Sequence, residues 1–484
     1  MVRWGGMNAA SVLSLILALA APLSGTEPPV DGARTPKTSG KSEEVGASSE
    51  VLDAWLDAAL KGNFKALAGG ATGMSKVELQ KLEESGWKAY ESAATRAGWN
   101  KDILPTPLAI EEMTKLPKEK QTRLQAGVLK SDGKEMPYVF VARGVKPAGG
   151  WPLFISMHGG GKFHGPTKEK PGPHGWKVNS REWQTQVQLS AMVYKPAGLY
   201  FVPRMADDNL GRWWHKHNIE IFTRMINRAI LFNEVDPNKV YLMGISQGGY
   251  GSCHLGPYMA DLFAAAGPMA GGMMTVTENL RNLPFRSDIG EFDTAYKRIT
   301  LAKELHDKID SHRKDDPDGY ENLLAIQKGK GHGIDYSLSP SWLIEHTRTP
   351  HPDRVVWRSR EKQGLYRKSF YWLSLSDSPE RGEVSLVASI DKKTNTIQVH
   401  GEEVLPPKEK GGESIRRPLT TLNVVVHLND TLVDLNRDVR LLYNGKQVFR
   451  GKVKREQGTL MRNLVKRGDP NYAFPAEIVI ETSI

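Results

Sequence analysis

The 484-residue sequence contains one cysteine, no block of basic residues and hardly any long apolar run. The single cysteine, Cys253, excludes an intramolecular disulfide, so packing must stabilise the fold. The net charge of +10 is spread along the chain, which argues against a nucleic-acid partner. After residue 23 no segment approaches the ~20 apolar residues that a membrane span needs.

The first residues have the pattern of a targeting segment. Arg3 precedes an apolar stretch over residues 9–23 that ends in small residues, as in a secretory signal peptide. We therefore expect residues 1–25 to be cleaved, leaving no stable membrane span in a chain that is secreted, periplasmic or held at the cell envelope. An uncleaved membrane anchor is the alternative. Residues 26–50, rich in Pro, Gly, Ser and charge, are predicted to be a flexible linker.

Three folded regions are predicted after the linker. Apolar residues at helical spacing predict an N-terminal helical segment over residues 51–118. Alternating strand and helix patterns predict an α/β domain over residues 119–375, with a mostly parallel sheet covered by helices on both faces. Short apolar segments separated by turn residues predict an all-β, sandwich-like domain over residues 376–484.

The pentapeptide Gly244–Gly248 (GISQG) carries the main chemical signal. It follows the predicted buried strand VYLMG and precedes a stretch of small residues. Glycines on both sides of Ser246 allow the sharp turn that exposes a serine hydroxyl above a sheet edge. Gly-x-Ser-x-Gly arises by chance in a chain with 47 glycines, but this position between strand and helix is the setting that a nucleophilic serine requires.

A second glycine-rich motif, His158–Gly161 (HGGG), directly follows the apolar strand Trp151–Met157. With the pentapeptide, it makes residues 120–375 resemble the α/β-hydrolase superfamily. The resemblance is strongest to polyhydroxybutyrate-depolymerase-like esterases and to the related dienelactone-hydrolase and prolyl-oligopeptidase branches. It implies an oxyanion hole built from the backbone amides of Gly160 or Gly161 and of Gln247.

The resemblance also implies that an acid and a histidine follow the nucleophile, in that order, on loops after later strands. Gly290-x-x-Asp293 resembles the acid turn of these enzymes, and it favours Asp293 over the alternatives Asp288 and Glu291. His332, within the segment GKGHG, follows one helix and one strand later, which suits adjacent loops at one sheet edge. We therefore expect His332 to act as the base and Asp293 to orient it.

Polar and aromatic residues after the predicted strand GLYFV are candidates for a substrate pocket, because ligands bind at this edge of such sheets. Tryptophans that cover a core are the alternative explanation. No HExxH pattern or comparable ligand spacing occurs, so we expect no metal ion and no other cofactor. The pocket candidates are His158, Arg204, Asp208, Trp213 and Trp214.

These residues predict a serine hydrolase that cleaves a carboxylic ester through an acyl-enzyme. The substrate is a small-molecule or polymeric ester, including carbohydrate esters. One rival is a serine peptidase of the prolyl-oligopeptidase type, although its usual N-terminal propeller has no counterpart before residue 120. The other rival is a non-catalytic surface protein that binds glycans on a hydrolase scaffold. The sequence does not predict an oligomeric state.

Overall fold

The computed structural model describes residues 46–103, 107–117, 120, 127–160, 179–209, 212–380, 382–407 and 414–483. The predicted signal peptide and most of the predicted linker lie outside these ranges. In the described ranges, no helix has both the length and the apolar character needed to cross a membrane. The helices are α1 (Ser49–Ala59), α2 (Lys76–Arg96), α3 (Ile110–Lys115), α4 (Asn179–Met192), α5 (Lys216–Phe232), α6 (Gln247–Tyr258), α7 (Arg298–Asp315), α8 (Leu338–Leu343) and α9 (Gln457–Arg467).

The largest sheet is mostly parallel. Its strand order is β1-β3-β5-β4-β6-β7-β8-β9, with β2 also paired to β3. Only the β2–β3 and β3–β5 pairs are antiparallel, and β2 and β3 form the hairpin that the Asp132-Gly133 turn predicts. Its strands are β1 (Leu108–Ala109), β2 (Gly127–Ser131), β3 (Lys134–Arg143), β4 (Trp151–Met157), β5 (Gly198–Pro203), β6 (Val235–Ile245), β7 (Ala265–Met269), β8 (Phe285–Gly290) and β9 (Asn322–Gln327).

Apolar side chains cover both faces of this sheet, as the continuous apolar runs of its strands predict. Along β4, Leu153 and Ile155 face a core that includes residues of α5, α6 and α7. The intervening Phe154 faces a second core, which includes residues of α3, α4 and α8. Cys253 is fully buried in the first core, where it packs as a small apolar residue.

The C-terminal strands form two further sheets among the described residues. One has the order β10-β13-β14-β17-β18, with β15 paired to β14, and the other has the order β11-β12-β16-β19. Their core is continuous with the first core of the large sheet. The strands are β10 (Arg354–Ser359), β11 (Ser369–Phe370), β12 (Leu373–Leu375), β13 (Glu383–Asp391), β14 (Thr396–Leu405), β15 (Ile415–Pro418), β16 (Val424–Leu428), β17 (Val439–Tyr443), β18 (Lys446–Gly451) and β19 (Ala476–Ile480).

Both predicted ends of the α/β domain, at residues 119 and 375, need correction. The chain enters the C-terminal sheets at Arg354 and not at residue 376, because β10, β11 and β12 pair with later strands. The large sheet begins at Leu108, inside the predicted helical segment, because β1 pairs with β3. The C-terminal region also contains α9, which the strand-like pattern around it did not predict. Residues 44–484 form one compact unit.

Helix α9 explains where the N-terminal helices find their core. Apolar residues of α1 and α2 pack against Leu460, Met461 and Leu464 of α9. The Gln457 side chain adds hydrogen bonds from the Ala47 and Ala71 amides at 3.0 and 3.2 Å. The first and last described helices therefore share one hydrophobic cluster.

Buried ion pairs fasten the C-terminal region to the large sheet. Arg348, which follows α8, pairs with Asp469 at 2.7 Å, and their side chains are 1% and 3% exposed. Asp261, between α6 and β7, receives the Arg367 and Arg467 guanidinium groups, each at 2.8 Å. Because uncompensated buried charges are costly, these pairs hold the two regions in one arrangement.

Candidate active site

Ser246 stands on a sharp turn between β6 and α6, with φ 54° and ψ −107°. This strained conformation requires close packing of the flanking backbone. A Cβ at Gly244 would lie 2.5 Å from Gly248 backbone atoms, and one at Gly248 would lie 2.2 Å from the Met157 carbonyl oxygen. The two glycines are therefore needed because the turn leaves no room for a side chain.

The loops after β8 and β9 lie side by side at the same sheet edge. Asp293 follows β8, and His332 follows β9. The Phe292 amide donates to the Lys330 carbonyl at 2.8 Å, and a Cβ at Gly290 would lie 2.0 Å from the Gly331 carbonyl oxygen. The missing side chain of Gly290 thus allows the two loops to pack together.

This packing brings the three predicted catalytic residues into one hydrogen-bonded chain. His332 Nε2 lies 3.0 Å from Ser246 Oγ, and His332 Nδ1 lies 2.8 Å from Asp293 Oδ2. The Asp293 side chain is 2% exposed, whereas that of His332 is 44% exposed. A buried carboxylate therefore holds an imidazole that reaches both the serine and solvent.

The two alternative acids lie elsewhere and have other partners. Asp288 is fully buried within β8 and pairs with Arg286 at 2.7 Å. Glu291 accepts a hydrogen bond from the Gly329 amide at 2.8 Å, so it braces the loop that carries His332. Neither carboxylate is hydrogen-bonded to the His332 ring.

Backbone amides adjoin the serine on two sides. Gln247 is the first residue of α6, where helix amides point toward negative charge. Gly159 lies opposite, because a Cβ there would be 3.6 Å from Ser246 Cβ. Gly160 follows it and is buried, while the predicted donor Gly161 lies outside the described residues. The arrangement can place N–H donors near an oxygen that develops charge beside Ser246.

His158 supports this glycine segment from below and does not line a pocket, which corrects its prediction as a pocket residue. Its ring is fully buried, with Nδ1 hydrogen-bonded to the Gly159 carbonyl and Nε2 accepting from the Met205 amide at 3.0 Å. These bonds require a neutral ring with its proton on Nδ1. Burial lowers the pKa of His158 to about 4, which keeps that form at neutral pH.

A cleft of about 340 Å³ opens beside Ser246. Aromatic and apolar side chains form much of its wall, and two arginines are among its polar residues. One of them, Arg298, donates to Asp293 Oδ1 at 2.7 Å and to the Tyr250 hydroxyl at 2.9 Å. The lining residues are Arg212, Trp214, Ser246, Gln247, Tyr250, Gly272, Met273, Tyr296, Arg298 and Leu301.

These features together decide the fold. Ser246 lies on a strand-to-helix turn of a mostly parallel sheet, and Asp293 and His332 follow it in chain order on neighbouring loops. The chain has the α/β-hydrolase fold. This assignment rests on the strand order and on the positions of Ser246, Asp293 and His332.

Among the comparisons with known proteins, only the comparison with solved structures gave matches. No family model and no curated protein matches the chain. Similar structures include a thermostable esterase, with 22% identity over 46% of this chain and 63% of its own and a TM-score of 0.34. A poly(3-hydroxybutyrate) depolymerase from Bordetella parapertussis has 13% identity, coverages of 42% and 80% and a TM-score of 0.31. A thermophilic esterase from the Planctomycetes species Thermogutta terrifontis has 14% identity, coverages of 48% and 94% and a TM-score of 0.32. The chain thus spans less than two thirds of the thermostable esterase.

The other predicted pocket residues divide between cleft, core and surface. Trp214 lines the cleft. Trp213 is fully buried and donates from its indole nitrogen to the His158 carbonyl, so it belongs to the core. Arg204 and Asp208 form an ion pair at 3.0 Å and are not among the residues of the cleft, which corrects their prediction.

A second carboxylate, that of Glu182 in α4, lies near His332 and was not predicted. Its Oε2 would be 2.7 Å from a Cβ at Gly159. Burial raises the pKa of Glu182, while attraction from Arg181 and His332 opposes that rise. Glu182 therefore places negative charge near His332, on the side of the glycine segment. In the described ranges, no cluster of three or more His, Cys, Asp or Glu side chains has a metal-binding arrangement.

Proposed function

We propose that this protein is a serine hydrolase that cleaves carboxylic esters through an acyl-enzyme. The observation that carries the proposal is the hydrogen-bonded chain from Ser246 Oγ through His332 to the buried Asp293 carboxylate. A serine hydroxyl is a poor nucleophile until a base can take its proton. In this hydrogen-bonded chain His332 is the base, and Asp293 is the acid that fixes the tautomer of the His332 ring.

In the proposed mechanism, Ser246 Oγ attacks the ester carbonyl carbon while His332 Nε2 takes the hydroxyl proton. The tetrahedral intermediate collapses, the imidazolium protonates the leaving alcohol, and an acyl-serine remains. Water then attacks the acyl-serine with His332 again acting as base, which releases the acid and restores Ser246. The Gln247 and Gly160 amides stabilise the oxyanion in both halves.

The cleft supports a ring-bearing substrate, such as a carbohydrate ester. Trp214, Tyr250 and Tyr296 contribute aromatic side chains to its wall, and Tyr296 is 75% exposed. Aromatic faces of this kind stack against planar or sugar rings. The His332 side chain beside Ser246 is 44% exposed, which leaves space for the rest of a larger ester.

Covalent labelling tests the nucleophile directly. We expect a fluorophosphonate to label the full chain, and short-chain p-nitrophenyl esters to be hydrolysed. Ser246→Ala should abolish both signals. Ser252→Ala is the matched control, because Ser252 lies in the helix that follows Ser246 and its hydroxyl donates to the Gly248 carbonyl. This variant should keep both signals. A folded parent that neither labels nor turns over would refute the proposal.

A panel of matched esters and peptide amides separates an esterase from a serine peptidase. We expect turnover of the esters and, under the same conditions, no measurable cleavage of the amides. Faster cleavage of the amides would assign the same triad to peptide hydrolysis. Glycan binding that persists in Ser246→Ala without any turnover in the parent would favour the binding-protein alternative.

We also propose that the mature chain is exported and that its leader is removed. The apolar stretch over residues 9–23 after Arg3 supports this proposal. N-terminal sequencing of the protein from medium, envelope and cell fractions tests it. A mature N-terminus near residue 26 is expected, and an intact Met1 in the cell interior would contradict it.

A further inference from the structure

A second pocket, of about 400 Å³, adjoins the cleft at Trp214, which lines both. The helix after the nucleophile connects them. Gln247 and Tyr250 face the cleft, and His254 and Tyr258 face the second pocket. Their spacing of three, four and four residues places all of them on one face of α6. At 1.5 Å per residue, the eight residues from Ser246 to His254 span about 12 Å.

The charge of this second pocket is mainly positive. Arg358, Arg360 and Lys362 line it, and Glu361 is the only carboxylate among its lining residues. Glu361 accepts a hydrogen bond from the Gly364 amide. Two carboxylates that do not line the pocket form ion pairs with its arginines. Glu278 pairs with Arg358, and Glu383 pairs with both Arg358 and Arg360.

Lys362 is the cation without such a partner. Within the described residues, its ammonium group makes no ion pair with a carboxylate, and its nitrogen lies 3.0 Å from His254 Nδ1. An ammonium group only donates, so His254 accepts through Nδ1 and must be neutral. Burial and nearby cations lower the pKa of His254 to about 3, which agrees with that assignment. The ammonium group also lies 5.7 Å from the centroid of the Tyr258 ring, and it can still donate to a further acceptor.

The surroundings of Lys362 favour an anion over water. Burial and the positive charge of Arg360 lower the pKa of Lys362 to about 8, and the negative charge of Glu361 opposes only part of this shift. The Trp214 ring packs on His254 at a tilt of 43°, with centroids 4.0 Å apart, so these two rings separate Lys362 from the cleft. An anionic group in the pocket would satisfy Lys362 and be shared with Arg360.

We propose that the second pocket is a subsite for a negatively charged group of the substrate, a carboxylate or a sulfate, located about 12 Å along α6 from Ser246. This inference rests on the proposed esterase function. The distance places the charge on a unit neighbouring the one that bears the ester. The substrate class is therefore an ester of an acidic oligosaccharide, with one ring against Trp214 and the charged group on Lys362.

Hydrolysis of three matched substrates tests the subsite: acetyl esters of a neutral tetrasaccharide, a uronic-acid tetrasaccharide and a sulfated tetrasaccharide. We expect kcat/KM of the parent to be at least about tenfold higher for one of the acidic esters than for the neutral ester, the scale of one charge-assisted hydrogen bond. The better acidic ester identifies the carboxylate or sulfate source. Added salt should reduce the preference.

Lys362→Gln should lower the ratio of acidic to neutral kcat/KM by about tenfold. Lys303→Gln, at an exposed lysine of α7, is the control and should leave the ratio unchanged. If Lys362→Gln does not fold, Arg360→Gln serves instead, because the Arg360 side chain is 61% exposed. Equal rates on neutral and acidic esters in the parent, or an unchanged ratio in the folded variants, would overturn the subsite. If the parent does not hydrolyse p-nitrophenyl acetate, the esterase function itself is refuted instead.

Discussion

Replacing His158 with glutamine should make the stability of the protein less sensitive to acid. Burial lowers the pKa of His158 to about 4 in the folded chain, whereas an unfolded histidine titrates near 6.5. As the pH falls below about 6.5, the unfolded chain takes up this proton and the folded chain does not. Folding stability from the neutral ring is therefore fully present above pH 6.5 and declines toward pH 4.

The size of the effect follows from the two pKa values. At pH 5 the proton taken up by the unfolded chain costs the wild-type fold about 2 kcal/mol, and at pH 7.5 it costs almost nothing. A glutamine at position 158 can accept from the Met205 amide and donate to the Gly159 carbonyl while staying neutral at both pH values. The difference in the free energy of unfolding between wild type and His158→Gln should therefore shift by about 2 kcal/mol in favour of the variant when the pH is lowered from 7.5 to 5.

Urea unfolding followed by tryptophan fluorescence at pH 7.5 and pH 5.0 measures this difference. Other buried histidines are common to both proteins, so their titration cancels in the difference. His400→Gln, at an exposed position of β14, controls for the loss of a histidine as such. A difference that stays the same at both pH values would show that His158 is not held neutral, and would refute its role beneath the glycine segment.

Three further substitutions probe the site and its frame. Glu182→Gln should lower kcat/KM at neutral pH, because the imidazolium that forms when His332 takes the serine proton loses a neighbouring negative charge; an unchanged kcat/KM would contradict this. Asp469→Asn should lower the free energy of urea unfolding by about 3–5 kcal/mol, because it leaves the buried Arg348 guanidinium unpaired; a loss below 1 kcal/mol would argue against the buried pair. Gly248→Ala should abolish activity and soluble folded protein, because its Cβ would lie 2.2 Å from a carbonyl oxygen of β4. The control Gly331→Ala, whose Cβ would have nothing within 4 Å, should stay folded by circular dichroism.

Local patterns and the resemblance to α/β-hydrolases were together enough to predict the three residues that the fold joins in one hydrogen-bonded chain. The turn around Ser246, the Gly290-x-x-Asp293 segment and the glycines beside His332 are short patterns whose backbone requirements can be read from consecutive residues. Strand and helix periodicity then place them at one sheet edge. The same reasoning predicted the large sheet, because its strands are buried on both faces.

The walls of the cleft could not be predicted in the same way. Arg298 has the pattern of a surface residue at the start of a helix, and only the fold places it on Asp293 and Tyr250. Trp213 and Trp214 are neighbours in sequence, yet one is buried and the other faces the cleft. The prediction of the boundary at residue 376 was wrong for a related reason. Strand β10 pairs with β13, about 30 residues later in the sequence, and no local pattern shows which sheet a strand joins.

The shared cluster of the first and last helices has a consequence for synthesis of the chain. Ala47 and its partner Gln457 are 410 residues apart, a length that a ribosome makes in about 20–80 s at 5–20 residues per second. During that time the apolar faces of α1 and α2 lack their partner helix. Every product of interrupted translation would expose those faces, so incomplete chains should be recognised by chaperones and proteases even when their catalytic sheet has already formed.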